Sequence, residues 1–409
     1  MEDMKNIITL PQTYILGNGE NPMKIEKMTI DNINGIKHLD LTFNKGLNLI
    51  CGENGVGKTT ILRAIVHYFM DGNDLYIKKH YGSENGDVSI WLDGESKCLN
   101  YQVTKYVPGY VKRHSVEFKR SNQILYFSSM REIKYEKIDS IPALNDFYSD
   151  TNSINHSTSL LLFSAEKDSK KWLTNRCVFY KLGSLNSYKI NNFELCKKIF
   201  SLIDKNFQID TVNDNCEMIF NCNGKKVFLE MLSDGYKTCI SILVGIIKEM
   251  EYRFPETNAV DFSGIIMIDE IDVHLHPRWQ AKLVKILKET FYKAQIFITT
   301  HSPSVLQNAM AEEIIPLYKD ENGDVHIKEL HLGEYGLQGW TLEEIMKDVM
   351  GMVSTTSDLY AQTIKEFDEA MYEENIPVIK EKYETLCKML HPQSTLRQLL
   401  KIQMAGMEE

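Results

Sequence analysis

The sequence predicts an α/β fold, in which a mixed β-sheet core with flanking helices carries a binding site at one edge. Three segments lead to this prediction: a glycine-rich loop at 52–59 and two short apolar runs, which end at Asp269-Glu270 and at His301. Such runs are typical of strands that are buried on both faces of a parallel sheet. Because ligands of open α/β sheets bind beyond the carboxyl ends of the strands, we expect the three segments to meet at that edge.

The glycine-rich loop fits the phosphate-binding pattern G-x-x-x-x-G-K-[ST] at every defined position. It follows an apolar run at 47–50 and precedes a segment, 60–70, with apolar residues at helical spacing. Inward-pointing amides and the helix N-terminus would bind a polyphosphate, with Lys58 at the β/γ-phosphates and the Thr59 hydroxyl on Mg²⁺. The predicted nucleotide-binding residues are Gly52, Glu53, Asn54, Gly55, Val56, Gly57, Lys58, Thr59 and Thr60. The alternative is a glycine-rich turn without a ligand, since the pattern also occurs by chance.

Length, charge and cysteine content limit the class of protein. A chain of 409 residues is long enough for two or three domains. Its net charge of −10 argues against a protein that coats nucleic acid by bulk attraction, although a local basic groove remains compatible with it. The eight cysteines form no C-x-x-C pair and are interpreted as reduced core residues. Because no apolar run reaches the length of a membrane span, and no signal-peptide core is present, we expect a cytoplasmic protein without membrane contact.

The first part of the chain is expected to form a loosely attached leader, 1–22, and then one part of the nucleotide-binding lobe, 23–120. Alternating apolar and polar residues, with glycine-containing turns between the runs, predict an antiparallel β subdomain in this part. Its strands are predicted at 23–30, 38–43, 88–92 and 99–107, with turns at Asn34-Gly35, Asn85-Gly86 and Asp93-Gly94.

Residues 121–231 are interpreted as an insertion or helical lobe. A buried strand is predicted at 123–127, a mobile polar run at 149–159, and a helix at 193–203. The segment ends in a predicted hairpin, with strands at 218–222 and 227–231 and a turn at Asn223-Gly224.

Residues 232–340 are expected to complete the lobe, and 341–409 to form a C-terminal helical tail. The periodicity predicts helices at 238–252 and 279–292, strands at 265–268, 296–300, 314–318 and 325–330, and a turn at Asn322-Gly323. The tail has breaks at Gly351 and Pro377 and ends in a basic amphipathic piece. Two interpretations of the tail stay open: a helical cap over the sheet, or a surface that docks a partner.

The two polar strand ends are predicted to carry the side chains for hydrolysis. Asp269 is expected to hold the metal of a magnesium nucleotide, and Glu270 to act as the base beside it. His301 is expected to contact the γ-phosphate or to orient the attacking water. The alternatives are a surface Asp-Glu pair at the end of a strand and a structural histidine.

A second candidate anion site stands at 232–235, which reads Leu-Ser-Asp-Gly and precedes the helix predicted from 238. A serine and a glycine at the start of a helix can bind an anion. Because the loop at 52–59 already serves one polyphosphate, we interpret Ser233 and Gly235 as residues that serve the nucleotide of a second protomer.

Together these motifs resemble those of the ABC-type P-loop ATPases, in the soluble branch that includes the RecF, Rad50 and overcoming-lysogenization-defect ATPases. The motifs that carry the resemblance stand at 52–59, 232–237, 265–270 and 300–301. The resemblance implies an ABC-ATPase-type P-loop fold with a helical insertion, and hydrolysis of Mg-ATP. It also implies a head-to-tail homodimer, in which Ser233 and Gly235 touch the γ-phosphate bound by the other subunit.

Two departures from the motifs of transporters indicate which ATPases of this branch the chain resembles most. Asp234 stands where transporters usually have glycine, and residues 269–277 read Asp-Glu-x-Asp-x-His-Leu-His-Pro, a form similar to bacterial defence ATPases. His274 and His276 could be taken for a metal pair, but such a site needs further ligands that are not evident.

The tail, with His391-Pro392 and the segment 396–401, looks like the C-terminal helices of the PtuA family, the ATPase subunits of Septu-type and retron-associated antiphage systems. This resemblance implies a sensor or regulator that controls a separate HNH nuclease, in a homodimer or higher oligomer. Nucleic acid or a retron reverse-transcriptase complex is a possible further partner. Because the tail is too short for a Toprim nuclease domain, no intrinsic nuclease activity is expected. The alternatives are a RecF-like ATPase of DNA repair and an ATP-gated scaffold with little turnover.

Two charged clusters are interpreted as solvated surface. One consists of Lys105, Lys112, Arg113, Lys119 and Arg120, for which nucleic-acid binding is the alternative. The other consists of Glu343, Glu344 and Asp348, for which a metal site on one helical face is the alternative.

Overall fold

The structure is a computed structural model, and it describes residues 23–69, 76–95, 98–107, 123–131, 135, 137–141, 169–352 and 354–405. The predicted leader at 1–22, the polar run at 149–159 and the basic residues Lys112, Arg113, Lys119 and Arg120 lie outside these ranges. The chain divides into two compact units, of which the first ends at Gly351 and the second begins at Met352. Within the described ranges, no helix is long and apolar enough to cross a membrane.

The centre of the first unit is a mixed six-stranded sheet. In spatial order its strands are β13 (Val325–Ile327), β12 (Ile314–Lys319), β3 (Leu47–Gly52), β11 (Gln295–Thr299), β10 (Ile265–Ile268) and β6 (Ile124–Phe127). The pairs from β12 to β6 are parallel, and β13 is antiparallel to β12. Every residue of β3, β6, β10 and β11 is buried, which explains why these strands have no apolar and polar alternation. The helix α1 (Lys58–Phe69) follows β3 across the glycine-rich loop.

A four-stranded antiparallel sheet forms the predicted β subdomain. In spatial order its strands are β2 (Ile36–Thr42), β1 (Ile25–Ile33), β4 (Gly86–Leu92) and β5 (Leu99–Val103). The strand predicted at 99–107 ends at Val103 because its partner β4 begins at Gly86, which lies opposite. Gln295 joins this sheet to the central one: its side chain accepts a hydrogen bond from the Ile25 amide at 2.7 Å and donates one to the Ile25 carbonyl at 2.8 Å.

The helical insertion consists of two helices and a small sheet. The helices are α2 (Ser169–Lys181) and α3 (Ser187–Ile203), and the antiparallel strands are β7 (Phe207–Val212), β8 (Met218–Cys222) and β9 (Lys225–Phe228). Asn223 and Gly224 have φ angles of 52° and 79°, as a tight hairpin turn requires, so the predicted turn is confirmed. The strand predicted to reach 231 ends at Phe228, because the chain then forms a 3₁₀ turn, Leu229–Met231.

Three further helices complete the first lobe: α4 (Asp234–Arg253), α5 (Pro277–Thr290) and α6 (Pro303–Leu306). The helix α4 begins earlier than the predicted residue 238, because Ser233 takes its N-cap position and its first turn is polar. Apolar side chains pack on both faces of the central sheet. One cluster joins the sheet to α2, α3, α4 and α5, and the other joins it to α1 and the four-stranded sheet.

The C-terminal part is helical, as predicted. The helix α7 (Leu342–Glu344) and a π-helical turn, Ile345–Val349, end the first unit. The second unit contains α8 (Asp358–Tyr372), α9 (Ile376–Met389) and α10 (Thr395–Ala405). It has a small core of its own, with Phe367, Ile379, Leu386 and Leu400 among its members. The predicted fold class, a mixed sheet with an antiparallel subdomain, a helical insertion and a C-terminal helical extension, is confirmed.

Candidate nucleotide-binding site

The glycine-rich loop leaves the central sheet at Gly52, the last residue of β3. A Cβ atom at this position would lie 2.1 Å from the carbonyl oxygen of Leu317 on β12, so the neighbouring strand admits only glycine. Gly52, Gly55 and Gly57 all have positive φ angles, of 135°, 73° and 108°. Only glycine adopts such angles readily, and the loop can therefore curl as the phosphate-binding pattern requires. The crest of the loop, 53–55, is exposed, whereas Val56 is buried in the core.

Lys58 lies almost buried at the base of this loop, with 5% of its surface exposed. Its Nζ donates hydrogen bonds to the carbonyl oxygens of Gly52, at 2.9 Å, and Glu53, at 2.7 Å. Burial lowers the pKa of the ammonium group to about 8, although nearby acidic groups act in the opposite direction. An anionic phosphate would make stronger, charge-assisted hydrogen bonds with this cation than the neutral carbonyl groups do.

Thr59 and Asp269 meet although they come from opposite ends of the lobe. The Thr59 hydroxyl donates a hydrogen bond to Asp269 Oδ1 at 3.0 Å, and the Thr299 hydroxyl donates to the same oxygen at 2.6 Å. Asp269 is 2% exposed. A hydroxyl and a carboxylate are the oxygen donors that Mg²⁺ prefers, so the residues present fit the predicted metal.

Glu270 follows Asp269 with a backbone that few residues adopt. Its φ angle is 47°, and its amide donates a hydrogen bond to the Thr299 hydroxyl at 2.6 Å. Burial, followed by the charges of Asp269 and Asp272, raises the pKa of the Glu270 carboxyl. A carboxylate with a raised pKa is a stronger base than one in water, which suits the role predicted for it.

His301 lies two residues beyond the end of β11, beside the loop. Its Nδ1 lies 3.5 Å from Lys58 Nζ. Burial, followed by the charge of Lys58, lowers the pKa of His301, so the neutral imidazole is favoured at neutral pH. A neutral imidazole has one donor and one acceptor nitrogen, and it can therefore bind a phosphate oxygen or a water molecule.

Thr60 and the second anion site lie at different places in the lobe. The Thr60 hydroxyl accepts a hydrogen bond from Asn34 Nδ2 at 3.4 Å, which joins α1 to the turn after β1. Ser233 is exposed at the N-cap of α4, and its side chain makes no capping hydrogen bond there. The space beside Gly235 is bounded by His274 and Trp279, at 3.5 Å from the position of a Cβ atom. The structure thus brings 52–59 close to Asp269 and His301, while Ser233 is exposed and Gly235 is half-buried at the start of α4.

Three residues that contact the predicted site residues were missed in the sequence. Thr299 binds the Asp269 carboxylate, Asp272 binds the Thr300 hydroxyl and the His301 amide, and Arg131 binds the carbonyl oxygens of Asp269 and Glu270. Thr299 and Asp272 stand inside motifs whose other members were recognised, so their positions were a usable signal. Arg131 lies in an irregular segment after β6, where no sequence pattern distinguishes it from other basic residues.

His274 and His276 stand in the segment that leads into α5. His276 is the N-cap of α5, where its Nδ1 accepts a hydrogen bond from the Arg278 amide at 3.3 Å. Among the residues that the structure describes, no group of three or more histidine, cysteine, aspartate and glutamate side chains is arranged to hold a metal ion.

Comparison with known proteins identifies the family of the chain. The family model described as the AAA ATPase domain matches residues 23–79 and 66–306, which include the loop, Asp269, Glu270 and His301. The chain is 38% identical to the Septu protein PtuA of Bacillus thuringiensis over 391 residues, which are 93% of this chain and 98% of that protein.

A second relative and a solved structure match less closely. The chain is 29% identical over 249 residues to the protein named "Retron Vc95 probable ATPase" of Vibrio cholerae, which corresponds to 54% of this chain and 48% of the relative. The chain therefore spans about half the length of that relative. The crystal structure of an SmcHead bound to the C-winged helix domain of ScpA matches 78% of this chain and 99% of its own, with 14% identity and a TM-score of 0.47.

The domain model covers more than half of the chain, and PtuA of Bacillus thuringiensis is similar over nearly its whole length. The chain therefore belongs to the PtuA family of Septu proteins and is an ATPase.

Proposed function

We propose that the chain is the Mg-ATP-dependent ATPase subunit of a cytoplasmic antiphage defence complex, which dimerises around ATP and controls a partner nuclease. The observation that carries the catalytic part of this proposal is the hydrogen bond between the Thr59 hydroxyl and Asp269 Oδ1. It brings the end of the phosphate loop to the carboxylate that follows β10. The defence role rests on similarity to the Septu protein PtuA.

The residues of the site have the following roles in this proposal. The loop amides and Lys58 hold the β- and γ-phosphates, and Thr59 with Asp269 holds Mg²⁺, which supplies charge neutralisation when it is bound. Glu270 accepts the proton of the attacking water. His301, beside Lys58, orients that water or binds a γ-phosphate oxygen. The site excludes bulk water poorly on its own, since residues 53–55 are exposed.

A second protomer would cover this exposed side. Ser233 and Gly235 stand at the N-terminus of α4, where backbone amides and the helix dipole attract an anion. Ser233 is exposed, and its hydroxyl does not cap its own helix. Two copies in head-to-tail arrangement would place each α4 N-terminus against the nucleotide of the other copy, and ATP would thereby hold the dimer together.

The C-terminal unit is the proposed docking surface for the partner. It has its own core, and it exposes the apolar side chains of Leu359, Leu399 and Ile402, at 65%, 53% and 69%. Exposed apolar side chains of this size are common at protein interfaces. The proposed partner is an HNH nuclease, and nucleic acid or a retron reverse-transcriptase complex is a further candidate.

The test is a cleavage assay with the purified chain, with and without an HNH nuclease encoded by a neighbouring open reading frame, if the native host has one. Single-stranded DNA, duplex DNA and transfer RNA are incubated with Mg²⁺ or Mn²⁺, in the presence or absence of ATP. We expect no cleavage by the chain alone, and cleavage by the complex that changes with ATP. ATP turnover without any nuclease partner, combined with tight binding of gapped DNA, would instead favour a RecF-like repair role. Binding of ATP without turnover would favour a scaffold.

A triple alanine variant tests whether the chain itself contains a nuclease site. Glu343 pairs with Lys347 at 2.8 Å, and Glu344 accepts a hydrogen bond from the Thr341 amide at 2.7 Å, so both have helix-stabilising contacts. Cleavage by the chain alone that disappears in Glu343/Glu344/Asp348→Ala would contradict the proposal. The matched control replaces three exposed acidic residues elsewhere, Glu321, Glu329 and Glu334, with alanine.

A further inference from the structure

Arg131 lies buried at the edge of the site, just beyond the end of β6. It is 7% exposed, although it is a charged residue in an irregular segment. Its Nε donates a hydrogen bond to the Ser128 carbonyl at 3.0 Å. Its Nη2 donates to the carbonyl oxygens of Asp269 and Glu270, the latter at 3.1 Å. A single guanidinium group thus joins the end of β6 to the two residues that follow β10.

Glu270 has a backbone conformation that needs such support. Glu270 has a φ angle of 47°, in the left-handed region that residues other than glycine seldom adopt. Backbone in this region persists where its surroundings hold it, and it occurs preferentially at functional sites. The Thr299 hydroxyl accepts a hydrogen bond from the Glu270 amide at 2.6 Å, and Arg131 binds the Glu270 carbonyl from the other side. Both peptide groups that flank the Glu270 side chain are therefore held.

We propose that Arg131 is a positioning residue for ATP hydrolysis, which holds the backbone of Glu270 in the conformation that directs its carboxylate at the attacking water. The inference rests on the proposed function, in which Glu270 is the base. Arg131 acts through Glu270, because its hydrogen bonds reach the backbone of 128, 269 and 270. Its loss should therefore slow the chemical step and leave nucleotide binding intact.

The geometry requires an arginine rather than any cation. The guanidinium group presents its N–H donors in a planar fork, which reaches carbonyl groups on two strands at once. Lysine places its three donors on one atom at the end of a flexible chain, so it cannot span Ser128 and Glu270 in the same way. Lysine at position 131 would keep the positive charge and lose the clamp.

The experiment compares Arg131→Gln and Arg131→Lys with the parent protein and with Lys137→Gln. Lys137 is exposed and pairs with Asp139 at 2.8 Å, so its substitution removes one positive charge from the same segment without touching 269–270. Steady-state kcat, the Kd of a fluorescent ATP analogue and the melting temperature are measured on the full chain with Mg²⁺. We expect both Arg131 variants to lose about 10- to 100-fold in kcat, the scale of a small misplacement of a catalytic group, with Kd changed less than about 2-fold. Lys137→Gln should match the parent.

Several results would overturn the inference. One is kcat of Arg131→Gln within about 2-fold of the parent, and another is a loss of ATP affinity that parallels the loss of kcat. Full rescue by lysine would show that charge matters and that the fork does not. If both variants fail to fold while Lys137→Gln folds, Arg131 is a stability residue. Glu270→Gln is measured in parallel: its normal turnover would refute the proposed base itself, whereas its inactivity beside normal Arg131 variants would refute this inference alone.

Discussion

The Thr300 hydroxyl donates a hydrogen bond to Asp272 Oδ1 at 2.6 Å, and the same oxygen accepts one from the His301 amide at 3.2 Å. Asp272 stands three residues after Asp269 in the chain, and Thr300 directly follows β11, the strand beside β10. One carboxylate therefore fixes the segment that carries His301 to the loop after β10.

This contact predicts that Asp272→Ala disturbs the position of His301. We expect kcat to fall by roughly 10-fold, because a catalytic group loses its support, while ATP affinity is retained. Asp272→Asn keeps one acceptor oxygen and should be less impaired. Steady-state kinetics and ATP titration of both variants provide the check. Normal turnover in Asp272→Ala would mean that His301 is held without Asp272.

The second prediction concerns Lys58. Lys58→Ala should abolish ATP binding, because the loop loses the side-chain cation that faces the β- and γ-phosphates. Isothermal titration with Mg-ATP measures the effect, and Lys347→Ala, at an exposed lysine paired with Glu343, is the control. Micromolar affinity in the Lys58→Ala protein would contradict the assignment of this loop as the phosphate site.

The third prediction tests the shared site of the dimer. Glu270→Gln should retain ATP and slow hydrolysis by at least about 100-fold, as expected for the loss of a general base. It should therefore accumulate as an ATP-bound dimer. Light scattering in the presence and in the absence of Mg-ATP measures the mass of the protein, which should double only when Mg-ATP is present. Adding Ser233→Arg places bulk and charge at the phosphate of the other copy and should prevent the dimer.

Two results would contradict this arrangement. One is a Glu270→Gln protein that stays monomeric at saturating Mg-ATP, and the other is a doubly substituted protein that dimerises equally well. Lys237→Ala, in the first turn of α4, controls for a general effect of substitution in this segment, since its side chain pairs locally with Asp234 at 3.3 Å.

The fourth prediction concerns the contact between Gly351 and the phosphate loop. Gly351 has a φ angle of 76°, and a Cβ atom there would lie 2.4 Å from Glu53 Oε1. Gly351→Ala should therefore cost about 1 kcal/mol in stability from backbone strain, and it should displace Glu53 and weaken ATP binding several-fold. Gly339→Ala is the matched control, because a Cβ atom added at Gly339 has no neighbouring atom within 4 Å. Thermal melting and ATP titration measure the two effects, and identical results for the two variants would refute the contact.

The phosphate loop, the strands β3, β10 and β11, and the meeting of their carboxyl ends could be predicted from the sequence. Strands that are buried on both faces are mostly apolar, and polar residues just beyond their carboxyl ends then stand out. The glycine pattern also predicted the loop, because the loop conformation disfavours residues with side chains at those positions. The ends of β5 and β9 and the start of α4 were predicted less accurately. They depend on where a partner strand begins or on which residue caps a helix, and not on periodicity.

Only the tertiary structure revealed the contacts that hold the reactive groups in place. Arg131 and Glu270 are 139 residues apart in the chain, and their hydrogen bond exists because β6 and β10 are neighbours in the sheet. Thr299 and Asp269 meet for the same reason, through the pairing of β10 with β11. Sequence patterns report local conformation and burial, whereas these hydrogen bonds depend on strand order. The sequence by itself therefore determined the phosphate loop and the polar residues that stand at the ends of the central strands, and the fold decided which residues hold them in place.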